Sequence, residues 1–188
     1  MNKLDVINEM LASMGQASIN SLTEENSFRD TGLKRLDLCQ RRILSRGFWF
    51  NEEDRTLTPD TYGIIAVPND LLELRNHKHA QVQYSKRGDK VYNRSQGTYV
   101  HEGPITVPIV YNMDFDELPI LAADYIGAVA VYEFQMNYDA DQTKTRQLDA
   151  RKREAWVMFN SEEIRQRAVV LAQNTAMSRL SWYGPRLQ

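Results

Sequence analysis

At 188 residues, with 42% hydrophobic and 26% charged residues and a formal net charge of −2, the chain has ordinary globular composition and enough length for a sizeable core. So small a net charge supplies no global field to recruit nucleic acid or an acidic membrane surface. The single Cys39 excludes an internal disulfide framework and fits a reducing compartment. The opening MNKLDVINEM carries Asp5 and Glu9 rather than the apolar centre of a secretory signal, and no stretch is long and apolar enough to span a bilayer.

Leu4, Ile7, Met10, Leu11 and Met14 fall on one face of an amphipathic helix that Gly15 ends. After a connector at 16–22, Ser21 and Glu24 have capping-box spacing and predict the start of a second helix. That helix carries Phe28, Gly32, Leu36, Cys39 and Ile43 on its apolar stripe and stops near Gly47. A buried, inert thiol is the reading of Cys39 there.

From Phe48 the period changes. Phe48 and Phe50 alternate with Trp49, the acidic run Glu52-Glu53-Asp54 follows, and Tyr62–Val67 is a short β-type run with Pro59-Asp60 as its turn signal. Val82–Ser85 and Lys90–Asn93 flank Arg87-Gly88-Asp89, which predicts a hairpin turn. Thr98–His101 and Ile105–Tyr111 are two further strand candidates, the second demoted by Pro108 to an edge or bulged strand.

Helical pattern returns at Asp114–Asn137, where only Asp124 and Glu133 are charged beyond Leu118 and the apolar residues wrap most of the helix. Such a helix must be enclosed by protein, and its two carboxylates then need basic partners on neighbouring helices or an adjacent subunit. Asp114, Asp116 and Glu117 lie before its start, with Pro119 suited to its first position. Beyond a polar break at 137–142, Val157, Ile164, Ala168 and Leu171 keep one phase and predict a single long helix that packs on the bundle, with a cap or kink allowed at Asn160-Ser161. The resulting class is α+β: an antiparallel helical bundle (1–47 and 114–181), an inserted small β module (about 48–113) and a C-terminal tail (182–188).

Residues that carry chemistry are sparse. His77-Lys78-His79 has metal-compatible spacing without evident third and fourth ligands, so solvated loop histidines are the plainer reading. No glycine-rich phosphate loop is present, and no cofactor is implied. Carboxylates at 52–54 and 114–117, with Trp49, Tyr62 and Phe115 nearby in sequence, motivate a glycan-hydrolase alternative, since glycosidases hold two carboxyls roughly 5–9 Å apart across a cleft. Helix-entry charge explains the second group more simply. The basic runs Lys34–Arg46 and Lys144–Arg153 interleave with Asp37, Asp149 and Glu154, as solvated or intersubunit helix faces do. Trp182, Tyr183 and Arg186 of the tail, together with Arg87 and Asp89 of the hairpin turn, are the candidate interface residues, because aromatic and arginine anchors dominate interfaces.

Several blocks, in order, carry a resemblance. These are Val6–Gly15 with Ser21-Leu22, Arg46-Gly47-Phe48-Trp49-Phe50-Asn51-Glu52, Pro68-Asn69-Asp70-Leu71-Leu72, Arg87-Gly88-Asp89-Lys90-Val91-Tyr92-Asn93-Arg94, and Phe115-Asp116-Glu117-Leu118-Pro119 with Tyr125-Ile126 and Phe134-Gln135. Over about Leu4 to Asn137 the chain resembles the tail tubular protein A family, the head-to-tail adaptor of short-tailed bacteriophages. Gln16, Ser18 and Tyr132 depart from the family's usual acidic residue, proline and arginine.

The resemblance implies a structural virion protein of the tail, made in the host cytoplasm, without enzymatic activity. It implies a homo-oligomeric ring, typically twelve-fold, with the portal protein above and the tail nozzle (tail tubular protein B) below, extending a channel through which DNA passes without sequence-specific binding and without a membrane.

Overall fold

The computed structural model describes residues 1–181, with side chains placed through 168. Helices α1 (Lys3–Ser13) and α2 (Arg29–Leu44) precede strands β1 (Glu52–Leu57), β2 (Leu71–Leu74), β3 (Tyr84–Arg87), β4 (Lys90–Asn93) and β5 (Ile105–Tyr111). A 3-10 turn at Phe115–Glu117 then leads into α3 (Ile120–Tyr138) and α4 (Gln142–Ser181). The class is therefore α+β.

Helix α3 is the centre. Its residues from Ala122 through Val131, apart from Asp124 and Tyr125, are buried, as are Phe134 and Gln135, and α1, α2 and α4 all pack on it. Small residues set the spacing. A Cβ on Gly127 would lie 3.0 Å from Val6 Cγ2, and one on Gly32 would lie 3.0 Å from Ile7 Cδ1, so α1 approaches both α3 and α2 at near-backbone distance. The start of α1 is fixed by Asn2, whose Oδ1 accepts from Asp5 N at 2.8 Å while Asp5 Oδ2 accepts from Asn2 N at 2.9 Å, a reciprocal cap that satisfies two orphan donors.

The strands form a three-stranded antiparallel sheet in the order β1-β5-β2 and a separate β3-β4 hairpin. Leu57, Leu71, Ile105, Val107 and Ile109 of the sheet share a second apolar cluster with Val91 of the hairpin and Ile65 of the connecting loop.

Five expectations change. Helix α2 begins at Arg29, not near Ser21: Glu24 accepts instead from Asn20 N at 2.8 Å, and Asn26 Oδ1 holds Phe28 N at 2.9 Å just before the helix. Phe48–Asn51 is a turn rather than a strand, closed by Asn51 N donating to the Phe48 carbonyl at 3.1 Å. The runs at 62–67 and 98–101 make only isolated bridges, Ile64 with Val100, Ala66 with Lys90 and Thr98 with Asn93. Finally, β5 is the central strand despite Pro108. The Pro108 carbonyl faces the β2 side, accepting from Arg75 N at 2.8 Å. Because β2 ends at Leu74, the missing N–H falls where the ladder stops. Pro119 is the residue before α3 rather than its first, its carbonyl accepting from Ala122 N and Ala123 N.

Candidate assembly surfaces

The two carboxylates of the central helix find basic groups. Arg42 donates to Glu133 Oε1, Arg35 lies 3.6 Å from its other oxygen, and the amino group of Met1 is 3.3 Å from Asp124. Cys39 Sγ, buried beside Glu133, donates to Oε2 at 3.3 Å. Burial first and the neighbouring Glu133 second push its thiol up to about 12, so at neutral pH it stays a protonated, unreactive donor.

The basic runs are largely spent within the chain. Arg41 pairs with Asp37, Arg151 with Glu9, Lys144 with Asp139, and Lys152 and Arg153 with Asp149. Hydrogen bonding from Lys152 holds the Asp149 carboxyl below the usual range. Arg46 lies over the Trp156 ring at 6.0 Å and Lys152 over Tyr132 at 3.7 Å, cation–π contacts that occupy them further.

The acidic run 52–54 is occupied in the same way. Glu52 meets Arg75 at 2.9 Å and Arg167 at 3.5 Å, Glu53 meets Arg55 at 2.7 Å, and His77 Nε2 is 3.4 Å from Asp54. Among the aromatics near these carboxylates in sequence, Phe115 is buried in the helical core while Tyr62 is 82% exposed. His77 and His79 are exposed, whereas His101 is buried with Nε2 3.1 Å from the Val91 carbonyl. Among the described residues no three His, Cys, Asp or Glu side chains gather as a metal site would require, and no helix is long and apolar enough to cross a membrane.

What remains open is surface. Helix α4 turns Phe159 inward, where it meets Phe48 at 4.8 Å and stacks on Tyr125 at 5.7 Å between ring centroids, with Trp156 against Tyr125 at 5.1 Å. Successive helical residues are 100° apart, so with Trp156 and Phe159 inward, Val157 and Ile164 face away. They are 63% and 61% exposed, and Ala168 one turn on is exposed too. The long C-terminal helix thus packs on the central helix as expected, but not through this stripe: α4 has two apolar faces, and the aromatic one takes the core. Past Phe159 the inner face becomes polar and caps the 47–49 turn, with Arg167 donating to the Gly47 carbonyl at 3.2 Å and Glu163 accepting from Trp49 N at 3.2 Å. Ile120, at the start of α3, is 73% exposed.

The second surface is the hairpin. Gly88, at φ +62°, opens the two-residue turn with Asp89, the conformation for which glycine is favoured. Period-2 alternation puts Val91 and Asn93 inward and Lys90, Tyr92 and Arg94 on the outer face, where Arg87 stands opposite Lys90. The Arg87 guanidinium stacks over Tyr92 at 3.6 Å, and Tyr99 packs edge-on against Tyr92 at 4.9 Å. Of the sequence-based interface candidates, Arg87 and Asp89 sit here, while Trp182, Tyr183 and Arg186 lie outside the described residues.

A family model described as "Tail tubular protein" matches residues 4–179. The chain is also 30% identical to Tail tubular protein A of Klebsiella phage KP34 over 139 residues, which are 73% of this chain and 73% of that protein. Matched over nearly its whole length, the chain belongs to the tail tubular protein family, structural components of bacteriophage tails.

Proposed function

We propose that the chain is a head-to-tail adaptor, a ring-forming subunit that joins the portal protein to the tail nozzle and prolongs the DNA channel. The helical part (1–47 and 114–181) makes the ring contacts, the β module (about 48–113) projects from it, and Trp182, Tyr183 and Arg186 of the tail anchor the portal. The observation that carries this reading is the outward apolar stripe Val157–Ile164 on α4, set on a body whose own core is already filled by Trp156 and Phe159. Apolar stripes of that kind, left outside a completed core, mark association faces. Head-to-tail association of unlike faces closes into a ring when the subunit rotation permits.

Particle imaging of the purified chain mixed with its portal protein tests this. A ring seated on the portal is expected, and a portal that stays bare at saturating chain overturns the reading. Removal of 181–188 is expected to weaken portal docking while leaving the unfolding midpoint unchanged; equal docking by the shortened chain removes the tail from the interface.

A further inference from the structure

We propose that the outer face of the β3–β4 hairpin docks onto the 3-10 turn and α3 entry of a second copy of this chain. This rests on the ring reading above and adds to its helix-borne contacts one made by the projecting β module. The hairpin face presents Arg87, Lys90 and Arg94 together, with no carboxylate within ion-pair distance of any of them among the described residues. Tyr92 and Tyr99 supply a rigid aromatic centre beside them, and Val100, next along the chain, is exposed. An apolar and aromatic centre with a charged rim is the anatomy of a protein interface. A strand of phosphates would engage the cations and leave Val100 uncovered.

The complement is on the same chain. Asp114, Asp116 and Glu117 are all exposed on the 3-10 turn against the single cation Lys3, which is taken by Asp114 at 2.9 Å. Asp116 and Glu117 have no side-chain cation among the described residues, and the exposed Ile120 lies three residues beyond Glu117. One surface is therefore basic around an aromatic centre, and the other is acidic beside an apolar side chain. No ion pair joins the two within one chain. Unlike, complementary patches on a single chain make a heterologous contact, and their opposite charge favours docking in one register.

Charge reversal tests the pairing. Sedimentation of the full chain at low ionic strength is compared for wild type, Lys90→Glu/Arg94→Glu, and Asp116→Asn/Glu117→Lys; the asparagine keeps the oxygen that accepts from Lys3 N. Each variant alone is expected to lose self-association at least tenfold, with unchanged circular dichroism. An equimolar mixture of the two is expected to regain it, because the acidic hairpin of one then meets the basic turn of the other. Variants that associate like wild type, a mixture that fails to recover, or a wild type that stays monomeric throughout each overturn the contact. So does binding to a short DNA duplex that the hairpin reversal abolishes while association is untouched. If both variants still seat as normal rings on the portal, the contact falls and the ring reading stands; a bare portal with wild type removes the ring reading itself.

Discussion

Asn51 and Tyr111 grip each other through the backbone and one amide: Tyr111 N donates to the Asn51 carbonyl at 3.1 Å, and Asn51 Nδ2 donates to the Tyr111 carbonyl at 2.9 Å. The same amide donates to the Leu44 carbonyl at the end of α2 at 3.0 Å, while its Oδ1 accepts from Phe48 N at 2.8 Å. A single side chain, fully buried, thus ties the end of α2, the aromatic turn and the end of β5. Asn51→Ala strands the Tyr111 carbonyl and the Phe48 N–H, each costly to leave unpaired, and leaves the Leu44 carbonyl with Gly47 N alone. A loss of about 2–4 kcal/mol in urea-unfolding free energy is expected. Loss below the measurement error would show that water replaces the amide.

Phe159 is the point at which α4 is held. It touches the rings of Phe48, Phe50, Tyr125 and Trp156, so Phe159→Ala removes a fully enclosed side chain and leaves a void. The expected cost is about 3–5 kcal/mol, read as a lowered midpoint in chemical denaturation.

The outward stripe behaves oppositely. Val157→Asp with Ile164→Asp replaces exposed side chains, and folding stability is expected to stay within roughly 0.5 kcal/mol of wild type. Ring assembly on the portal is expected to fail. A large drop in thermal midpoint would place the stripe in this chain's own core instead.

Asp114 gives a pH signature. Hydrogen bonding from Lys3 Nζ to both carboxylate oxygens, helped by Asp116 N, holds its carboxyl below the usual 3.8. A depressed folded value means the pair's stabilisation is complete above the unfolded value and disappears as pH falls through the folded one. The pair is solvent-exposed and screened, so its effect is small. Asp114→Asn keeps the oxygen that accepts from Asp116 N, and its stability deficit is expected to be present at neutral pH and to vanish as pH falls through the lowered folded value. A deficit that persists unchanged in acid would assign it to capping rather than charge.

Much of the helical framework is legible in the residues because it rests on local pattern. The apolar wrap of 118–137 dictates enclosure, and Gly15 and Gly47 mark stops through their positive φ. The failures share a cause, which is competition from partners distant in sequence. Ser21 and Glu24 have cap spacing, yet Glu24 is drawn to Asn20, and nothing local announces that the helix waits until Arg29. Phe48 and Phe50 alternate like a strand, but both rings are claimed by the helical core across Phe159. The four residues of β2 are too few to show a period and owe their strand form to β5. On α4 the more regular heptad stripe was the exposed one, since Trp156 and Phe159 bury more area than Val157 and Ile164. Of the proposed interface, the turn at Gly88 is readable, whereas the stacking of Arg87 on Tyr92 depends on a diagonal across two strands.

Both edges of the small sheet are guarded. On one side β1 presents Glu52, Glu53, Asp54 and Arg55 in succession, and on the other β2 stops after four residues, opposite the proline that cannot donate. Bare strand edges invite pairing with any other exposed strand, and charge and brevity discourage it. Where many copies of one chain are crowded together, such edges keep neighbouring β segments from zipping into a continuous sheet. In the ring proposed above, contacts between copies are then left to side chains, which can be made and broken during assembly without refolding a strand.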